Sequence, residues 1–349
     1  MNILMVGPSR NARGGMTTVV NNYFKSDLVK KIQLRYISTT IDGNILLRLI
    51  YAFSAYIRIL ICLIIQEIDI VHIHMASRGS FYRKSLIIML SKRLNKKIII
   101  HLHGAEFGIF YEKECSTREK KYVKDIFEQV DKVIVLSTEW ESKLKEWFNC
   151  NLEVINNSIF LSEKNLYNTS SKNIVMLGRL NHRKGTYDLL KVIKLMLSEL
   201  KEIRFVLAGD GDLVNLKNEI KNLDIGSYVN VLGWIDSKQR EQLLNDTLIY
   251  VLPSYNEGMP MSVLEAMGHG IPTISTNVGG IPGIINSGID GYLIQPGNVD
   301  ELKEKIELLI NDELLRDEIS SNSYVKVKRK FSMDFHIEKL LNVYHSLMN

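Results

Sequence analysis

Short apolar runs alternate with amphipathic stretches along nearly the whole chain, and the alternation restarts once. The first series reads as strands at 2–7, 32–38, 69–75, 97–103, 132–137 and 152–156. Between them lie a loop at 8–14, a helix from about 15, and helices over 45–66, 81–94, 116–129 and 138–148. The second series has strands at 173–178, 203–208, 229–233, 248–252, 272–276 and 291–294. Its helices are expected over 185–200, 212–223, 236–245 and 260–269, and the chain ends in helices. Strands separated by helical stretches form parallel sheets with helices on both faces. One sheet of twelve strands is unlikely as a single layer. The polar stretch FLSEKNLYNTSSK at 160–172 has no hydrophobic period and reads as a break. The expected organisation is an N-terminal α/β domain over 1–160, a linker over 161–172, a C-terminal α/β domain over 173–330 and a helical segment over 331–349. The last helix, about 333–347, either finishes the second domain or crosses back to the first. Doubly wound sheets bind ligands at the carboxyl ends of their strands. Two such Rossmann-like sheets facing each other would place a site in a central cleft.

A length of 349 residues suits two domains. The net charge of +5 hides an asymmetry: residues 1–165 hold 24 basic and 16 acidic residues, the remainder 20 and 23. From Arg78 to Lys97 there are seven basic residues and no acid. A basic face suits an anionic surface or substrate. Nucleic acid is not expected as a partner, because no aromatic-interleaved basic motif or recognition helix is visible. Three scattered cysteines, Cys62, Cys115 and Cys150, have no metal-ligand spacing and imply a reducing, cytoplasmic compartment. The first residues are too short an apolar run for a signal peptide. The run LIYAFSAYIRILICLII at 49–65 is membrane-like but is interrupted by Arg58. It reads as a buried helix between strands, as a helix offering an apolar edge and Arg48 and Arg58 to a membrane, or as a span.

The segment NEGMPMSVLEAMGHGIPTISTNVGGIPG, residues 256–283, carries the densest chemistry. Glu257 and Glu265 stand eight positions apart. A helix starting near Pro260 leaves Glu257 on the preceding loop and puts Glu265 inside it. Gly258, Met259, Pro260 and Met261 form the turn and the helix start, and backbone N–H groups there suit an anion. Gly178, Arg179, Lys184 and Gly185 flank another strand-to-helix loop, where an Arg fork and a Lys point charge can hold phosphate. Gly14 and Gly15 precede the first helix, but the loop GPSRNARGG is not the dinucleotide fingerprint and no acid ends the second strand. Asp210 lies in a Gly-Asp-Gly turn, and Trp234 follows a strand and either lines a base pocket or packs in the core. His72 and His74, like His101 and His103, alternate on a strand. His103 ends its strand before Gly104, where a ligand would sit. His101 reads as structural and His72 and His74 as packing residues. No metal is expected, since the only nearby carboxylate is Glu106.

These motifs together resemble a retaining glycosyltransferase of family 4, with the GT-B fold of two Rossmann-like domains. The resemblance covers nearly the whole chain. It rests on Gly14-Gly15, His103-Gly104, Gly178-Arg179-Leu180 with Lys184-Gly185, Gly209-Asp210-Gly211, and above all Glu257 to Glu265 with Gly279-Gly280-Ile281-Pro282 and Asp290-Gly291. The chain departs from the family in having Gly283 where a Glu is common. The resemblance implies a nucleoside-diphosphate sugar as donor, UDP foremost, with no metal or other cofactor. It implies that Glu265 binds the ribose hydroxyls, Glu257 lies near the donor sugar, Arg179 and Lys184 hold the diphosphate, Gly15 approaches it, and His103 touches the sugar. It further implies a saccharide or polyprenyl-diphosphate-linked acceptor on the basic N-terminal domain, and a role in bacterial capsule or O-antigen synthesis at the inner face of the membrane. A nucleotide-sugar 2-epimerase of the same fold and a non-catalytic partner subunit are the competing readings.

Overall fold

The structure is a computed structural model that describes residues 1–348 apart from Asp42 and Lys201. The chain divides into two compact units: Met1–Ser158 together with Met333–Asn349, and Ile159–Ser332.

The first unit is built on six parallel strands, β1 Asn2–Gly7, β2 Gln33–Ser38, β3 Ile70–Met75, β4 Lys97–Leu102, β5 Lys132–Val135 and β6 Leu152–Val154. They stand in the order β2-β1-β3-β4-β5-β6. Every residue of β3 is buried, as is all but Lys97 of β4, because helices cover both faces of a parallel sheet. The strand order reverses direction between β1 and β3, so the ligand edge of this unit is the carboxyl end of those strands. Helices Gly15–Lys25, Ile45–Ile65, Gly79–Arg93, Thr117–Glu128 and Thr138–Trp147 fill the crossovers. Helix Thr117–Glu128 starts in a capping box, Ser116 with Glu119, which satisfies donors at both ends of that short motif. The final helix, Met333–Met348, belongs to this unit. Its His336 bonds the Tyr23 hydroxyl at 2.8 Å and its Tyr344 hydroxyl meets His72 Nδ1 at 2.6 Å.

The second unit carries β7 Asn173–Leu177, β8 Arg204–Ala208, β9 Val229–Gly233, β10 Ile249–Leu252, β11 Thr273–Thr276 and β12 Tyr292–Ile294, all parallel, in the order β12-β11-β10-β7-β8-β9. Residues 161–172, expected as the linker between the two domains, are tied down on this unit. Asn165 donates to Ser320 Oγ at 2.9 Å, and Ser162 and Leu248 accept from the Tyr324 and Tyr167 hydroxyls at 3.0 and 3.1 Å. A polar stretch without period can still be ordered when its side chains find long-range partners.

The carboxyl edge of the second sheet is closed by backbone against backbone. A Cβ on Gly209, at φ +151°, would lie 1.6 Å from the Gly178 carbonyl oxygen. The Gly178 amide donates to the Ala208 carbonyl at 3.0 Å, and the Gly209 amide to that of Gly233 at 2.7 Å. Only a residue without a side chain fits there. Gly209→Ala should therefore destabilise the second unit by about 3 kcal/mol or more, read as a lowered urea midpoint. An unchanged midpoint would show that the loops can part without cost.

Candidate active site

In the second unit, the loops after β7 and β10 meet. Asn181 caps the turn His182–Lys184 by accepting from the Lys184 amide at 3.1 Å, and the Thr186 hydroxyl accepts from the Asn181 amide at 3.0 Å. Gly185, at φ +72°, lies so close to Pro253 that a Cβ would stand 2.0 Å from its carbonyl oxygen. The Tyr255 amide donates to the Arg183 carbonyl at 2.8 Å, and Arg183 Nη1 donates to the Asn256 carbonyl at 3.2 Å. These ties bring Lys184 onto Glu257, 73 residues away, as an ion pair and hydrogen bond on Oε1. The Ser254 hydroxyl donates to the same oxygen at 2.7 Å. Glu257 is 6 % exposed.

Helix Met261–Gly268 begins directly after Pro260, and no side chain caps its first turn. Glu257 thus stands on the loop before the helix and Glu265 within it. Glu265 is largely buried, and burial raises its pKa; Arg240, 3.3 Å away, and His269 oppose that rise. The Gly279-Gly280 turn closes under this loop: a Cβ on Gly279 would lie 1.8 Å from the Glu257 carbonyl oxygen, and the Gly280 amide donates to Gly258 at 2.6 Å. Arg179 follows Gly178 and is exposed, with no ion-pair partner among the described residues. Asp210 contributes its backbone, accepting from the Leu180 amide at 2.6 Å. Trp234 is 52 % exposed and not a core residue. Gly283 has open space where a side chain would stand.

The first unit holds Gly14, Gly15 and His103 at its own ligand edge. Gly14 has φ +129°, is exposed, and has nothing within 4 Å of where a Cβ would be. It caps helix Gly15–Lys25 with no side-chain hydrogen bond. His103 follows β4, and its amide donates to Met75 at 2.8 Å. Its Nε2 meets His74 Nδ1 at 2.8 Å, which leaves Nδ1 for a ligand.

His103 ends a row of four stacked imidazoles. His74 and His101 are register partners on β3 and β4, and His72 Nε2 meets His101 Nδ1 at 3.2 Å. One nitrogen each of His72, His74 and His101 lies within 4.8 Å of the others, a spacing open to a metal ion. An ion drawing on His72 would have to displace its bond to Tyr344 or to His101. Burial first, and neighbouring rings second, pull His72 and His103 down to about 3, and His74 and His101 well below the usual histidine range. His336 is pulled down to about 4 by burial. All five rings are neutral at pH 7. Lys84, 2 % exposed, donates to Ser80 Oγ at 2.8 Å and has no carboxylate partner among the described residues. Burial, then Arg83, pull it down to about 7.

Sequence reasoning passed over Ser254 and Arg240, and met Lys84 only as one of the seven basic residues between Arg78 and Lys97. Ser254 and Glu257 form an S-x-x-E spacing, which was available as a signal. Arg240 carries none, since it meets Glu265 from another helix, and the burial of Lys84 depends on what the fold packs around it.

Comparison with known proteins gives these sites a family. The description "Glycosyltransferase Family 4" matches residues 18–163 and "Glycosyl transferases group 1" matches residues 157–326. An uncharacterized glycosyltransferase of Haemophilus influenzae is 30% identical over 62% of this chain and 61% of its own length. A capsular polysaccharide biosynthesis glycosyltransferase of Staphylococcus aureus is 28% identical over 49% of this chain and 45% of its own. An Escherichia coli UDP-Gal:alpha-D-GlcNAc-diphosphoundecaprenol alpha-1,3-galactosyltransferase is 28% identical over 48% and 44%. The match thus spans about half to three-fifths of these curated relatives. The fold is shared with the sucrose-phosphate synthase of Thermosynechococcus elongatus, with a TM-score of 0.79 at 16% identity over 100% of this chain and 99% of that one. It is shared too with Anabaena HepE in complex with UDP, at 0.78 and 18% over 99% and 100%.

Lys184→Ala strands a buried carboxylate and should cost about 3–5 kcal/mol of stability. Lys184→Met with Glu257→Leu should recover most of that loss in urea unfolding; equal losses would mean the pair is not the source. In the first unit, the unfolded chain binds protons below pH 6.5 while the native rings resist until about pH 3–4. Stability is therefore lost as pH falls through that window, by up to ~1.4 kcal/mol per pH unit for each histidine. The slope of stability against pH between 7 and 4.5 should be shallower in His101→Leu, and an equal slope would remove that ring as a contributor. With two parallel six-stranded α/β sheets and both family descriptions across residues 18–326, the chain belongs to the family 4 glycosyltransferases of the GT-B type.

Proposed function

We propose that this protein transfers a sugar, with retention at the anomeric carbon, from a nucleoside-diphosphate sugar to a saccharide acceptor, free or carried on polyprenyl diphosphate. The observation that carries the reading is the loop pair of the second unit: Lys184 on Glu257 just before an uncapped helix start, Glu265 within that helix, and exposed Arg179 on the same strand-to-helix loop as Lys184. Cleaving the bond from sugar to diphosphate leaves negative charge on the phosphate and an oxocarbenium-like sugar. Fixed cations and backbone N–H groups near the leaving group stabilise that charge without solvent reorganisation. Arg179, uncommitted in the free protein, takes the diphosphate oxygens; Lys184 shares its charge between Glu257 and the phosphate. Glu265, whose pKa is raised by burial, accepts from the ribose hydroxyls. These groups supply the positive charge that a divalent ion would otherwise bring, so the transfer is proposed to need no metal. The departing phosphate oxygen takes the acceptor proton, and the acceptor attacks the face it leaves. His103 offers a neutral nitrogen to a sugar hydroxyl at the ligand edge of the first unit.

UDP is the favoured nucleotide: a fold relative is described in complex with UDP and a sequence relative is named for UDP-Gal. The three free cysteines suit a reducing cytoplasm. Relatives named for capsule and for a diphosphoundecaprenol substrate support a place in bacterial surface polysaccharide synthesis.

The test is a thermal-shift screen with UDP, GDP and ADP, in which UDP at 100 times its Kd should add ~2.7 kcal/mol. UDP-sugar turnover with EDTA present, and the anomeric configuration of the product by NMR, test metal independence and retention. Arg179→Ala should lower kcat by about 10²–10³-fold. A sugar product formed without any acceptor would point instead to an epimerase, and undiminished turnover in Arg179→Ala would remove that residue from the site.

A further inference from the structure

Helix Ile45–Ile65 is the one described helix long and apolar enough to cross a membrane, yet only 28% of its most apolar window is buried. Its packed stripe is Ala52, Ala55, Ile59, Cys62 and Leu63. Eleven large apolar residues of this helix are exposed, with Ile45 at 77%, Phe53 at 67% and Ile65 at 74%. The reading of this segment as a buried helix between strands therefore fails: a narrow stripe packs on the unit, Tyr51, Ser54 and Tyr56 are half-buried, and the eleven exposed apolar residues have no cover among the described residues. Monomeric soluble proteins rarely leave a continuous apolar face of this size to water.

We propose that this helix lies in the plane of an anionic lipid surface, apolar face inward, and holds the ligand edge of the first unit at the membrane. The proposal rests on the reading that the acceptor is lipid-borne. Several observations select a bilayer surface over other occupants. The helix carries no acid; its charged residues are Arg48 and Arg58, both exposed. The neighbouring stretch from Arg78 to Lys97 has seven basic residues and no acid; Lys84 is buried and Arg78 is paired with Glu106 and Glu114, while Lys92, Arg93 and Lys97 are exposed. Apolar insertion with adjacent basic charge is the two-part signal that anchors a helix reversibly on anionic lipid. A spanning orientation is incompatible with the contacts, because the Tyr56 hydroxyl donates to the Arg83 carbonyl at 2.8 Å and the packed stripe holds the helix along the sheet. At 21 residues and 1.5 Å per residue the helix is about 31 Å long, a lengthwise contact rather than a tip. It follows β2, so its first turns start at the same strand ends as Gly7, Gly14 and His103. Those first turns, Ile45 to Ile50, are exposed without interruption. A lipid-linked saccharide lying in the bilayer would meet this edge without leaving the membrane.

Co-sedimentation of the full chain with vesicles tests this in the absence of substrate. Phosphatidylcholine vesicles containing about a third phosphatidylglycerol should bind at least about tenfold more protein at low salt than pure phosphatidylcholine, and salt should reduce that preference. Leu49→Ser/Ile50→Ser/Phe53→Ser should lose binding to both vesicle types, and Arg48→Glu/Arg58→Glu should lose the anionic preference alone. Both variants should keep the UDP-induced thermal shift, which reports on folding and the donor site. Absence of vesicle binding overturns the proposal. So does concentration-dependent self-association that the apolar variant abolishes while vesicles stay bare, which assigns the face to a second copy. Vesicle binding without glycosyl transfer to any acceptor leaves this inference standing and sinks the reading of activity; transfer to soluble acceptors without vesicle binding does the reverse.

Discussion

Gly279 presses its α-carbon against the carbonyl of Glu257 so closely that a methyl group would stand 1.8 Å from the oxygen, and Gly209 does the same to Gly178 at 1.6 Å. These two backbone contacts determine where the polar side chains of the second unit can be. Parallel strands end at staggered heights, and their loops ordinarily splay outward. Here the loops after β7, β8, β10 and β11 are drawn into one layer, because glycine lets main chain rest on main chain. Lys184 reaches Glu257 only because Gly185 first lets its loop touch Pro253. A side chain at any of these three glycines would push the loops apart and separate charges that are stable only together.

The paired state of Lys184 has a consequence for binding. An isolated buried ammonium is costly, and so is an isolated carboxylate. Held together, with Ser254 also on Glu257 Oε1, they are close to neutral and can remain dry. Under the proposed function, an incoming diphosphate would meet a lysine whose position is already fixed, and Arg179 would supply the positive charge that is not yet committed. Holding the lysine in advance removes part of the ordering cost that a flexible side chain would add on binding. With Lys184 and Ser254 both on its Oε1, Glu257 fixes the position of Lys184.

Much of this architecture was legible before any coordinates. Parallel strands are buried on both faces, so β3 and β4 show as continuous apolar runs, and the helices between them show their period. Pro260 separates Glu257 from Glu265 by its backbone restriction alone. The failures share a cause: they depend on what lies across the fold. The two His-x-His pairs were visible, but their alignment as His74 beside His101 depends on strand register. Ser254, Lys184 and Glu257 meet over 73 residues, and Arg240 reaches Glu265 from another helix. Helix Ile45–Ile65 is the sharpest case. An apolar helix has the same composition whether neighbours cover it or not, so the sequence could not separate a core helix from an exposed one.

The two units also solve the burial of polar groups differently. The second holds charge and neutralises it locally. The first holds imidazoles and one lysine without a carboxylate among the described residues near them, and burial drives the imidazoles to their neutral forms and Lys84 to about 7. Neutral rings can stack in a row, as His72, His74, His101 and His103 do at centroid separations of 4.2 to 5.3 Å, where protonated rings would repel. The row runs from the Tyr344 hydroxyl on the last helix to His103 at the ligand edge. It therefore joins the anchoring of the final helix to the orientation of the one ring exposed to a ligand. A proton placed on any interior ring would weaken both at once, which couples the integrity of the first unit to the neutrality of its candidate sugar contact.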